Sequence, residues 1–145
     1  MQARSLLFGT PHTTDTPAGH AGLALLRVFA GLALAFGHGL GKVPPGEGFV
    51  GMIGGMGIPA PGLAAWAAAL AELVGGILLA LGLLTRPASL VIAFHFAVVV
   101  LLAHAGDPFG RRELPLMFFF VALAFMLAGP GRYSVDAALA GRRRV

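Results

Sequence analysis

Apolar residues along this chain fall in long unbroken blocks rather than in alternation. The blocks run Leu23 to Leu40, Leu63 to Leu84, Ala88 to Ala105 and Leu114 to Ala128, holding 18, 22, 18 and 15 residues. A helix needs ~20 residues to cross a hydrocarbon core, and ~17 suffice where the bilayer adapts. Alternation would be the mark of membrane strands, and Ala and Leu dominate here, so the pattern predicts four transmembrane helices. The fourth block reaches spanning length if its helix also takes in Glu113 and Gly129.

The separators carry suitable punctuation. Pro44-Pro45-Gly46 ends the first helix and Pro61-Gly62 opens the second. Thr85-Arg86-Pro87 is a tight turn, with Pro87 suited to a first helical position. Gly106-Asp107-Pro108 and Gly129-Pro130-Gly131 close the third and fourth helices. Such short turns make helices two, three and four antiparallel neighbours, so the predicted fold is all-α, an integral membrane four-helix up-down bundle. The segment from Phe49 to Ile58 is apolar but holds four glycines, too short and loose to span. It is expected at the outer interface or as a re-entrant cap. The predicted organisation is a flexible polar lead over 1–20, the bundle over 21–136 and a basic cytoplasmic tail over 137–145.

Composition agrees with this pattern. Hydrophobic residues make up 57% of the 145 and charged residues 11%, whereas a soluble domain devotes about a quarter of its residues to charge. Disorder is excluded by the same contrast. The basic pI of 11.2 would suggest nucleic acid in a soluble protein, but Arg142, Arg143 and Arg144 directly follow an apolar body. Such flanking charge marks a cytoplasmic membrane surface, so no nucleic-acid partner is expected. With an even number of crossings, the side holding both termini carries Arg4, Arg86, Arg132 and the three terminal arginines, against Lys42, Arg111 and Arg112 opposite. Both termini are therefore expected inside. Residues 1–20 hold no apolar core, so they do not read as a signal peptide. The absence of cysteine removes disulfide relays, thiolate-held iron–sulfur clusters and Cys-ligated zinc.

The few charges inside the helices are the informative ones, because an ionisable group in lipid is costly unless partnered. Arg27, His38 and Lys42 fall on one stripe of helix one, with Gly31 and Ala35 between them. That stripe of small residues suits a close helix contact, internal or between subunits of a homo-oligomer. Glu72 lies near the middle of helix two, on a face with Ala68, Gly76 and Ala80, and is predicted to face helix one. His95 and His104 are nine residues apart, about half a turn out of phase, so they are not expected to point at one site. His38, Lys42, His104 and Glu113 share one level near the outer surface, with Glu72 beneath them.

Plainer roles stand beside these. Lys42 and Glu113 suit interfacial anchors and Arg27 a snorkelling cation. His95 suits a hydrogen-bonded core histidine, and Phe118-Phe119-Phe120 lipid contact and packing. No histidine pair at i and i+3 or i+4 supports a metal site, so none is predicted. A bis-histidine haem across helices one and three is a lesser alternative.

Several short motifs follow in order: Leu26-Arg27, Gly37-His38-Gly39 with Lys42, Gly57-Ile58-Pro59-Ala60-Pro61, Glu72-Leu73-Val74-Gly75-Gly76 and Gly82-Leu83-Leu84-Thr85-Arg86. His104, Glu113-Leu114 and Gly129 through Asp136 complete the series. In this order and spacing the chain resembles the DoxX/DoxD family of small bacterial membrane proteins over roughly residues 22 to 138. His95 departs from the pattern. The resemblance implies a multi-pass plasma-membrane protein linked to redox or oxidative-stress systems, since the family takes its name from a subunit of a thiosulfate–quinone oxidoreductase. It implies a quinone as cofactor, with Glu72, His104 or Glu113 exchanging protons and Arg27 or Lys42 balancing charge. A non-catalytic scaffold that docks a soluble or membrane redox protein through the basic tail is the alternative, and a small transporter built around Glu72 the less favoured one.

Overall fold

A computed structural model describes residues 16–142 of the chain. Arg4, Arg143 and Arg144, and with them part of the charge count that sets orientation, lie outside the described residues, as does most of the polar lead.

Helix α1 starts at Pro17, where proline's missing N–H costs nothing, and Thr16 caps it by accepting from Gly19 N at 3.0 Å. It therefore begins inside the stretch assigned to the lead. The helix is α-helical over Pro17–Leu32, widens to a π turn over Ala33–Gly39 and tightens to a 3-10 turn over Leu40–Lys42. Together these form one apolar rod of 26 residues. Extended Val43 and the prolines behind it stop the rod. The short helix α2, Glu47–Gly55, occupies the segment expected to cap the bundle.

Helix α3, Pro61–Leu81, ends in a Schellman closure: Gly82 takes φ +65° and Leu83 N donates to Leu78 O at 3.0 Å. Helix α4 covers Thr85–Val98 and runs on through a second π turn, Val99–Ala103. Helix α5, Phe109–Ala128, is 20 residues long, and Gly129 caps it at φ +81°. Helix α6, Val135–Arg142, falls largely in the stretch assigned to the tail.

The regular elements among the described residues are all helices, as predicted. α1, α3 and α4 are long and apolar enough to cross a membrane. α5 completes the bundle but differs in kind. Its first turns hold Arg111, Arg112 and Glu113, so uninterrupted apolar sequence begins only at Leu114. Large apolar side chains face outward, among them Phe29, Leu63, Phe94 and Leu127, each about 70% exposed or more. In lipid that is the stable side for them.

Helices in lipid gain little from apolar burial alone and associate through close packing. α1 and α3 achieve this with small residues. A Cβ on Gly31 would lie 2.5 Å from Gly76 O, and one on Gly39 would lie 2.5 Å from Leu73 N. The small-residue stripe is thus an internal contact, backbone against backbone. Around it Leu34, Leu79, Ile92, Phe96, Ala122 and Phe125 form a core drawn from all four long helices.

Candidate functional site

The α1–α3 contact fixes where Lys42 and Glu72 meet. Glu72 is buried, with 3% of its side chain exposed, and Lys42 Nζ donates to both its oxygens, at 2.7 Å to Oε1 and 2.5 Å to Oε2. Lys42 is one-third exposed, so the pair joins a buried anion to a cation that reaches open space. The prediction that Glu72 faces helix one matches this geometry.

The second partner of Glu72 is His95, whose Nε2 donates to Oε1 at 2.8 Å. The reading of His95 as a hydrogen-bonded histidine matches, but its partner makes it a member of the Glu72 cluster. The signal was present in the turn. Glu72 lies 11 residues before Leu83 and His95 lies 11 after Leu84, so an antiparallel pair turning at those residues sets them level.

A cavity of about 790 Å³ opens beside the cluster. Its ionisable lining is His38, Lys42, Glu72, His95, His104 and Arg111. Apolar side chains supply most of the rest, and α2 with its C-terminal cap residue Met56 covers it, through Phe49, Met52 and Ile53 as well. The Lys42 ammonium also lies 5.6 Å from the centre of the Phe49 ring.

Phase arguments for a regular helix exclude His95 and His104 from one site, yet both line this cavity. The π turn is the reason. His104 N donates to Val99 O, five residues back, and such a widened turn advances fewer degrees per residue. It also shifts His104 beside the loop, where Nδ1 donates to Asp107 Oδ2 at 2.8 Å. That hydrogen bond, reinforced by Arg111, holds the Asp107 carboxyl below the usual carboxylate range.

His38 lies in the cavity wall with its ring edge against Phe118, 5.5 Å between centroids. Phe118 stacks in turn on Phe96 at 5.2 Å, so part of the aromatic run packs inward, while Phe120 faces out. Glu113 is not in the cavity. It is exposed on α5, and Arg111 from the same turn lines the wall in its place.

Arg27 lies at the far end of the same face of α1: Gly31, Ala35 and Gly39, between it and Lys42, pack on α3, and Arg27 itself meets Gly82. It stands 15 residues before Lys42 on the same rod, so the length of the helix separates it from the cavity, and its guanidinium serves the opposite end of the bundle. There it donates to Pro130 O and, at 2.8 Å, to Tyr133 O. Only 2% of the residue is exposed, so it does not snorkel. Gly82 is required beside it, since any Cβ there would collide with the guanidinium and with Ser134. The same end holds Asp136, whose carboxylate accepts from Leu84 N at 2.8 Å and from Thr85 N and Oγ1 at 2.9 Å. Partial burial would raise the Asp136 carboxyl, but these three hydrogen bonds outweigh it and hold it below its ordinary value. Sequence reasoning placed Asp136 in a motif without giving it this role.

Among the described residues, no three His, Asp or Glu side chains gather into a set that could hold a metal ion.

Comparison with known proteins gives two matches. The DoxX family model matches residues 22–105. The protein named "Putative oxidoreductase CatD" from Bacillus subtilis (strain 168) is 30% identical over 116 residues, covering 79% of this chain and 84% of the relative. No solved structure matches.

Proposed function

The chain belongs to the DoxX family, and from that premise we propose that it is the membrane subunit of a quinone-linked redox or oxidative-stress complex, with its cavity as the headgroup site. The observation that carries this reading is the Lys42–Glu72–His95 cluster set into the wall of an otherwise apolar cavity. Apolar clefts with a few convergent polar groups are where small ligands are bound and oriented. The relative's name, an oxidoreductase, supports the same class of chemistry.

A bound quinone would supply two-electron, two-proton chemistry. The chain's part is to seat the ring, keep bulk water out and hold protons. Phe118 offers a flat apolar wall, and Lys42 and His38 offer N–H groups suited to carbonyl oxygens. Glu72 Oε1 and His95 Nε2, 2.8 Å apart, hold a proton between them at the deep end. His104 and Asp107 form a second proton-holding pair nearer the loop. In this reading both termini lie in the cytoplasm of a bacterial plasma membrane, which the excess of Lys and Arg on their side supports.

The test is Glu72→Gln in the membrane-reconstituted protein with its reducing partner. Quinone-coupled turnover should fall about a hundredfold, the lower range for loss of a positioned acid–base group. Unchanged quinone binding together with unchanged turnover would overturn the proposal.

A further inference from the structure

The polar lining of the cavity is lopsided. Of its six ionisable residues, five are bases: His38 and Lys42 from α1, His95 and His104 from α4, and Arg111 from α5. The one acid, Glu72, is already engaged, because Lys42 reaches both its oxygens and His95 takes Oε1 as well. The nearest other acid, Asp107, is occupied by His104 at 2.8 Å and faces Arg111 at 3.6 Å. Glu47 on α2 is exposed and does not line the cavity.

Donors, in contrast, remain available. An ammonium has three N–H groups and a guanidinium five. Lys42 gives Glu72 two contacts, and Arg111 is 74% exposed with one long ion pair. His38 has its ring contact with Phe118 and no hydrogen-bond partner among the described residues. A ligand with a hydroxyl to donate therefore meets no unoccupied carboxylate oxygen. One with an anionic oxygen meets several charge-assisted donors, which are roughly twice as strong as neutral ones.

We infer that the cavity takes an amphiphile whose head is an oxyanion, seated by Lys42, His38 and Arg111. This rests on the reading of the cavity as the headgroup site and names the protonation state it selects. Two sources carry that chemistry, the enolate or phenolate of a hydroxylated ring and the carboxylate of a long-chain acid. The stacked Phe118 and Phe96 rings favour the planar one.

The experiment uses the full chain in lipid nanodiscs and three probes. They are an alkylated hydroxynaphthoquinone, which is an enolate at neutral pH, its methylnaphthoquinone analogue of equal chain length, and dodecanoate. Binding of the two ring probes is read by quenching of Trp66, the chain's one tryptophan, which lies on α3 two residues from cavity-lining Ala68. The enolate should bind about tenfold tighter than the neutral analogue, the increment expected for a charge-assisted contact. Lys42→Met should reduce that ratio towards one by weakening the enolate alone. Glu72→Gln, which releases Lys42 and His95 from their carboxylate, should raise enolate affinity. Equal affinities for the two ring probes in the unmodified protein would overturn the inference and leave the quinone reading standing. Binding of neither would overturn both. Displacement of the enolate by equimolar dodecanoate supports the oxyanion and assigns it to a chain acid; resistance to displacement, with the tenfold preference intact, assigns it to a ring.

Discussion

Both ends of this bundle bury charge, and they do opposite things with it. At the end where α1 begins and α5 finishes, Arg27 faces backbone carbonyls and Asp136 faces backbone N–H groups. Each charge ties α1 or α6 to a turn, and the space between is filled so closely that Gly82 admits no side chain. At the other end Lys42, Glu72 and His95 bind one another, and a cavity of about 790 Å³ lies beside them. An expensive buried charge is thus no sign of function by itself. What distinguishes the two ends is whether the charge saturates itself on backbone or stands at the wall of open space.

If the first end is a lock, breaking it should produce the largest loss of stability. Arg27→Ala strands the carbonyls of Pro130 and Tyr133 and removes the cation nearest Asp136. The expected cost is about 3–5 kcal/mol, the range for removing one member of a buried charged network. Unfolding in mixed micelles would measure it, and naphthoquinone affinity per folded molecule should not change. Retained stability would erase the contrast. At the other end, Lys42→Ala strands only a carboxylate that keeps His95, so about 2–4 kcal/mol is expected. Adding Glu72→Gln should recover much of that loss, with a coupling of about 1–3 kcal/mol in the double-mutant cycle. Additive effects would mean that the two side chains do not act as a pair.

The contrast also explains what could be read from sequence. Block lengths and prolines specify the helices, because backbone groups in lipid have no alternative to helical pairing. Glu72 toward helix one was legible, since the small faces around Gly31 and Gly76 leave one way for α1 and α3 to approach. Phase was not legible. The π turn at Val99–Ala103 breaks the regular advance and brings His104 to the same cavity as His95. Nothing in Val99-Val100-Leu101-Leu102-Ala103 distinguishes it from ordinary α-helix. Glu113 failed for a simpler reason: depth was counted without azimuth, and Arg111 occupies the inward position.

Asp136 offers a smaller and more selective probe of the lock. Its carboxyl is held low in the fold, so it contributes stability above the unfolded value of about 4, and that contribution is lost as pH falls through the lower folded value. Asp136→Asn should cost about 1–2 kcal/mol at neutral pH, where three hydrogen bonds to a charged acceptor are weakened on a partly exposed residue. Below about pH 4 the difference between variant and parent should shrink, because the carboxyl of the unfolded parent takes up a proton there and that of the folded parent follows at lower pH. A gap that stays constant from pH 7 to pH 3 would show that the hydrogen-bond geometry matters and the charge does not.

The smallest expected effect tests the boundary of the site. Glu113 sits on the same turn of α5 as Arg111, within the level assigned to proton exchange, yet it faces away from the cavity. Glu113→Gln should change stability by less than about 0.5 kcal/mol, as exposed substitutions usually do. It should also leave naphthoquinone binding and coupled turnover where they were. Arg111→Gln, two residues away, should weaken the enolate probe while sparing the neutral analogue, because only Arg111 presents its charge to the lining. Should Glu113→Gln reduce turnover instead, α5 would have to turn its other face inward when the ligand binds. Titrating the probe against both variants side by side separates those cases, since a rotated α5 would make the enolate insensitive to Arg111.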